Sequence, residues 1–374
     1  MNRQVSIVRC GDYTHDNVRT AVKTSLDHLG GLARFVKKDQ TVLIKPNLLS
    51  AKDPSRAITT HPTVVQAVVE EVQRLGAIPI LGDSPGGVDR GIVRVWENTK
   101  LSEVAAQTGA KLVAFESAGV CAKTTPDGKT YFIAKPVLDA DVVISLAKLK
   151  THTLTLMTCA VKNMFGSIPG FRKAEYHKEA TKPKDFAEVL VDIFSLTKPH
   201  LTLVDAVVCM DGDGPSSGDP KYAGLLFSGT DAVALDMVAA KIMGFKEGEI
   251  DTTSVARKRG LGPKSFDQIE IRGENLSQLP LPKFVLPSNR LMKLIPDLLV
   301  KLVAPLVWVR PNILDGNCIN CNICVENCPT KTIHPGDKRP YFDYANCINC
   351  MCCHELCPQK AVYLEKSRIA KRIH

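Results

Sequence analysis

The chain has 374 residues, 44% of them hydrophobic and 23% charged, with a formal net charge of +9. That length is too great for one average domain and suits two or three, with the composition of a globular protein. The positive charge is spread along the chain and aromatics are only 6%, so the interleaved basic–aromatic surface that stacks on single strands is missing and no nucleic-acid partner is expected.

From the N-terminus, no basic, apolar and small-residue series marks a secretory leader. Apolar, strand-like runs follow at 5–9, 41–45, 78–82, 111–115, 141–146, 201–204 and 225–228, with helical patterns at 16–29, 62–75, 185–196 and 231–243. Continuous apolar strands alternating with helices predict an α/β domain over 1–280, a mostly parallel sheet with helices on both faces. In such sheets ligands bind beyond the carboxyl ends of the strands.

Those ends are where polar residues gather. One strand closes on Lys45-Pro46-Asn47, the next on Asp83-Ser84-Pro85-Gly86-Gly87, and a third on Lys148-Leu149-Lys150-Thr151-His152. A fourth closes on Asp205, followed by Asp211-Gly212-Asp213-Gly214-Pro215. Taken singly, each is an ordinary cap, turn or solvated lysine. Together, Lys45, Lys148 and Lys150 can form a basic floor for a carboxylate or phosphate. Alternatively, Asp83, Asp205 and Asp211 can join His61, His152 or His177 in an additional metal site. The stretch 151–166 reads as a helix with Lys162 near its end and Gly166 as C-cap. A basic loop, Gly170 to Lys178 with His177 in it, then follows, placed to close over a ligand. Walker, Gly-x-Gly-x-x-Gly and Gly-x-Ser-x-Gly patterns are missing from strand-to-helix turns.

Residues 281–310 form an apolar, proline-rich linker. Two internal prolines and three charges argue against a membrane span, leaving a docking segment or a membrane-surface contact. Next comes an internal repeat at 311–366: Cys318, Cys321, Cys324, Cys328-Pro329 and Cys347, Cys350, Cys353, Cys357-Pro358. This is the C-x2-C-x2-C-x3-C-P run of two-cluster ferredoxins, in which the fourth cysteine serves the other cube. Cys318, Cys321, Cys324 and Cys357 are therefore expected to hold one [4Fe-4S] cluster, and Cys347, Cys350, Cys353 and Cys328 a second. Zinc also takes C-x2-C pairs, but does not explain three-plus-one spacing repeated twice. Such clusters need reduced thiolates, so the cytoplasm is the expected location. A short basic tail, 367–374, ends the chain.

In family order, Lys45-Pro46-Asn47, Thr60-His61-Pro62, Gly82-Asp83-Ser84-Pro85, Lys148 to His152, Val161-Lys162-Asn163-Met164-Phe165-Gly166, Asp205 with Met210 to Pro215, and Asp231 to Asp236 resemble the DUF362 family. That resemblance covers about 1–280 and implies a domain often joined to a ferredoxin-type module, without a stated chemistry. A more distant likeness to nickel-pincer lactate racemases stays at the level of fold, since their metal and catalytic motif has no residue-by-residue match here. Three functions are compatible with these residues. The first is an oxidoreductase passing electrons through two clusters to an anionic substrate, served by Lys45, Lys148, Lys150, Lys162, His152, His177, Asp83, Asp205 and Asp211. The second is a non-catalytic electron-transfer subunit docked on a redox partner protein. The third is a cluster or metal carrier, or a redox sensor.

Overall fold

The computed structural model describes residues 3–86, 91–170, 172–180, 182–287 and 308–368. Most of the expected linker (288–307) and of the basic tail (369–374) lie outside the described residues. Among the described residues, no helix is long and apolar enough to cross a membrane.

Eleven strands build the large domain: β1 (Gln4–Arg9), β2 (Thr41–Pro46), β3 (Ile78–Asp83), β4 (Lys111–Ala114), β5 (Val120–Thr124), β6 (Thr130–Ala134), β7 (Val142–His152), β8 (Leu156–Thr158), β9 (Leu201–Asp211), β10 (Asp219–Gly229) and β11 (Glu270–Gly273). The main sheet runs β11-β1-β10-β9-β7-β2-β3-β4, with β8 paired to β7, while β5 and β6 form a separate hairpin. Strands β9, β7, β2, β3 and β4 are mutually parallel. Strand β10 is antiparallel to both β9 and β1, so the sheet is mixed but mostly parallel.

Successive residues of the central strands feed two different cores. Val42, Ile44, Val142 and Ile144 join the helices His15–Asp27 and Pro62–Arg74 on one face. Leu43, Val143 and Val204 join Pro183–Leu196 and Ala232–Met243 on the other. Period-two alternation of apolar side chains into two cores is what a parallel sheet covered on both faces requires.

The chain order makes one position special. From β2 the chain winds outward through β3 to β4, then returns to place β7 on the other side of β2. The winding direction therefore reverses between β2 and β7. Loops leaving the carboxyl ends of such neighbours diverge and open a crevice.

The helix expected over 151–166 does not form. Strand β7 continues to His152, and β8 folds back on it with Lys150 opposite Thr158 and His152 opposite Leu156. Thr151 lies in β7, Thr153 and Thr155 in the turn between β7 and β8, and Thr158 in β8. Only Ala160–Asn163 is α-helical here. The expected basic loop is instead the helix Arg172–Glu179.

The C-terminal module pairs Val309–Ile313 with Val362–Lys366, antiparallel. Its two cysteine loops repeat in conformation as well as sequence. Asn320 and Asn322 in the first, and Asn349 and Met351 in the second, all have positive φ, from 50° to 63°. Each loop then enters a short helix, Ile323–Glu326 or Cys352–Leu356.

Candidate functional site

At the crevice between β2 and β7 lies a buried ion pair. Lys45 is fully buried, and its Nζ is 2.7 Å from Asp83 Oδ1 at the end of β3. Lys45 also donates to the Asn163 carbonyl at 2.5 Å, and Asp83 Oδ2 accepts the Leu48 N–H at 2.8 Å. Buried charges persist only when paired and hydrogen-bonded, and both are. Gly166 crosses directly above them: a methyl there would lie 2.1 Å from Asp83 Oδ1 and 2.7 Å from Lys45 Nζ. Its role is close approach to the pair rather than helix capping.

Two asparagines tie the strand ends together. Asn163 donates to Ser145 Oγ at 2.8 Å, and Asn47 donates to Asn163 Oδ1 at 3.2 Å. Lys150 donates to Asn47 Oδ1 at 2.9 Å and to the Ile58 carbonyl at 2.6 Å, leaving its third hydrogen available. Lys173 uses all three of its hydrogens, on Ser84 Oγ, Ser84 O and Pro85 O at 2.6–2.7 Å.

Asn47, Asp83, Ser84, Lys150, Asn163, Gly166 and Lys173, but not the fully buried Lys45, line a cleft whose opposite wall comes from the cysteine-rich module. The large domain supplies Asn47, Asp83, Lys150, Lys162, Asn163 and His177, and the module supplies Asn327, Cys352, Glu355 and Leu356. Cross-domain bonds hold this arrangement: Ser216 Oγ donates to the Glu355 carbonyl at 2.5 Å, and Lys360 to the Gly218 carbonyl at 3.0 Å. His152 Nε2 lies 3.3 Å from Glu355 Oε1. Its Nδ1 accepts the Leu154 and Thr155 N–H groups, so the ring proton sits on Nε2, toward Glu355. Lys162 is half-buried, its ammonium 5.9 Å from the Phe165 ring centroid, and it has no hydrogen bond or ion pair among the described residues. His177 stacks on Phe186 at 4.1 Å and leaves Nδ1 buried without a partner. Thr158 Oγ1 and Glu355 Oε1 are likewise buried and unpartnered by hydrogen bonds.

Other expected members lie elsewhere. Lys148 pairs with Asp205 at 2.7 Å and donates to Tyr13 Oη at 2.9 Å. Asp205 also accepts the Tyr13 hydroxyl at 2.7 Å and the His61 N–H at 2.9 Å, while the His61 ring stacks on Tyr13 at 3.6 Å. Asp211 accepts the Val285 N–H at 3.1 Å and pairs with Lys221 at 3.2 Å, fastening the segment that leaves the domain. So the floor of Lys45, Lys148 and Lys150 is not assembled as expected: Lys45 goes to Asp83, Lys148 to Asp205 and Lys150 to Asn47. Asp83, Asp205 and Asp211 are each held by a different lysine rather than brought to one metal. Among the described residues, no three His, Cys, Asp or Glu side chains converge on a single ion.

Burial keeps the histidines neutral. It pushes His177 down to about 3, with Lys162 adding to the effect, and His61 down to about 4. His152 is also held well below the ordinary 6.5, first by burial and then by Lys162. Burial lowers Lys173 to about 8 and depresses Lys150 and Lys162. For the histidines the folded pKa lies below the unfolded one, so the unfolded chain takes up protons first as pH falls. The histidines' contribution to stability is therefore expected to be complete above pH 6.5 and to fall progressively toward pH 3–4. Thermal unfolding followed across that range tests this, and the slope should flatten in His177→Gln.

Cys318, Cys321, Cys324 and Cys357 line one shared pocket. Burial and then the charges of Cys357, Cys321 and Cys318 push Cys324 up to about 12. Cys353 is raised by burial and by Cys350, Cys324, Cys347 and Cys328. Backbone N–H groups aim at sulfur: Ala361 at Cys357, 3.2 Å, and Thr332 at Cys328, 3.3 Å. At Cys328, burial opposes the thiolate, but hydrogen bonds from Thr332 and Thr330 outweigh it and lower the pKa. Thiols that wall a cavity and receive N–H donors fit a polynuclear iron–sulfur group.

Sequence reasoning missed Glu355 and Lys173 as pocket residues, and Asn47 and Asn163 as its braces. The asparagines stood inside the motifs already noted. Nothing in the spacing marks Glu355, which is hidden between Cys353 and Cys357.

Residues 317–361 match the family of 4Fe-4S dicluster domains, and residues 42–241 match the family described as a domain of unknown function, DUF362. The thylakoid-associated protein sll1697 of Synechocystis sp. is 37% identical over 269 residues, covering 71% of this chain and 83% of that protein. Among solved structures, the lactate racemase apoprotein of Thermoanaerobacterium thermosaccharolyticum aligns at a TM-score of 0.41 and 15% identity. That alignment covers 60% of this chain and spans 55% of the racemase, too slight a likeness to carry functional meaning. With the strand-end motifs, the cysteine module and these matches in agreement, the chain belongs to the DUF362 family and carries a C-terminal 4Fe-4S domain of the kind that transfers electrons.

Proposed function

We propose that the protein is an iron–sulfur oxidoreductase that delivers electrons to a small anionic substrate in the strand-end cleft. Two [4Fe-4S] clusters are assigned, one to Cys318, Cys321, Cys324 and Cys357 and the other to Cys347, Cys350, Cys353 and Cys328. One observation carries this reading: the cleft that presents Lys150, Lys162 and His177 is walled on its other side by Asn327, Cys352 and Glu355, neighbours of four of those cysteines. A passive docking platform has no need of a lysine-lined cleft facing its own redox module.

When bound, the clusters supply single electrons. The chain's own residues do the rest. Lys162 and the free hydrogen of Lys150 neutralise the substrate anion, and Thr158 offers it a hydroxyl. His177 is the imidazole facing the substrate and exchanges a proton at Nδ1. His152 faces Glu355 and orients the module. The cross-domain bonds exclude water, which strengthens each of these interactions. Electrons enter from a redox partner protein, a contact supported by Ile319, which is 61% exposed between Cys318 and Cys321. Reduced thiolates favour a reducing compartment such as the cytoplasm.

Anaerobically reduced protein, mixed with a panel of small carboxylates and phosphates and followed by visible absorbance, tests the proposal. At least one compound should accelerate reoxidation. Identical reoxidation across the whole panel would favour the non-catalytic subunit instead.

A further inference from the structure

One cation of the large domain belongs to neither the cleft nor the Lys148 cluster. Lys52, on the loop after β2, donates to the carbonyl of Pro358, the residue following Cys357. It is half-buried in the seam between the domains. Among the described residues it has no carboxylate partner. The charges acting on it are Arg56 and Arg94 from its own domain and the thiols of Cys357 and Cys321 from the module. Burial and Arg56 push its pKa down, and Cys357 acts in the opposite direction. Both thiols, and Pro358 itself, line the pocket shared by Cys318 and Cys324, and Cys328, Cys347, Cys350 and Cys353 do not.

We propose that Lys52 raises the reduction potential of the cluster assigned to Cys318, Cys321, Cys324 and Cys357, so that docking on the large domain makes the two clusters unequal. This rests on the cluster assignment above. Reduction adds one electron to that cluster and makes it more negative, with no bond made or broken and no proton required. A fixed positive charge beside the ligands stabilises the reduced form more than the oxidised one, and half-burial leaves that charge only partly screened. The large domain thus tunes its own electron relay.

The test is an EPR-monitored redox titration of the full anaerobic chain, reduced stepwise with dithionite, for wild type, Lys52→Met and Lys52→Arg. Lys52→Met should move one wave to lower potential by about tenfold in the reduction equilibrium, or about 59 mV for one electron. The other wave should stay in place, and Lys52→Arg should remain near wild type. Iron content measured on each variant confirms an intact module. Unmoved waves in Lys52→Met would overturn the inference. So would an equal shift in Lys52→Arg, because charge would then not be the cause. Wild-type protein without cluster signals would overturn the assignment itself, a result distinct from an unmoved wave.

Discussion

Asp83→Ala is expected to cost about 3–5 kcal/mol of stability, the usual penalty for orphaning one member of a buried ion pair. Lys45 is fully buried and its ammonium has only Asp83 and the Asn163 carbonyl for company. Without the carboxylate, that charge must be neutralised or the crevice must open to water. The N–H of Leu48 would lose its acceptor as well. Gly166→Ala should act in the same direction through sterics alone, since its methyl would occupy the position of Asp83 Oδ1. A double replacement, Lys45→Met with Asp83→Leu, should recover much of the loss, because well-packed apolar pairs often match buried ion pairs. Denaturant unfolding of the four proteins measures this. A loss below about 1 kcal/mol in Asp83→Ala would mean that the pair is not buried as described.

Lys162→Met is expected to separate function from stability. Its ammonium is depressed by burial and has no hydrogen bond or ion pair among the described residues. Removing it should leave stability unchanged or improved, as happens when an unpaired charge placed for function is deleted. Substrate-dependent reoxidation should fall by about 10²-fold, the scale seen when one preorganised donor to a reacting anion is lost. Iron content should not change. Lys173→Met provides the contrast. Lys173 satisfies Ser84 and Pro85, so its loss should destabilise the loop after β3. Equal reoxidation by Lys162→Met and wild type would show that the anion is held elsewhere.

The parts of this molecule that could be read beforehand are those written in strong local patterns. β2, β3, β7 and β9 are continuous apolar runs, as strands buried on both faces must be, and the cysteine repeat fixes its chemistry by spacing. Polar strand ends also pointed to the carboxyl edge of the sheet, although not to one crevice along it. What could not be read was partnership. Lys148 and Lys150 stand two residues apart on one strand, yet one goes to Asp205 and Tyr13 and the other to Asn47. Apolar residues among the threonines of 151–158 suggest a helix, and nothing in that local pattern marks the turn at 153–155 that folds β8 back on β7. The contact of the module with the cleft rests on Glu355, Ser216 and Lys360, whose meeting depends on tertiary packing alone.

The most direct measurement is iron and acid-labile sulfide analysis of anaerobically purified protein, combined with EPR after reduction by dithionite. Two cubes require about eight irons and eight sulfides per chain, with the signals of reduced [4Fe-4S] clusters. Zinc in place of iron, or iron without those signals, would contradict an electron relay at the mouth of the cleft.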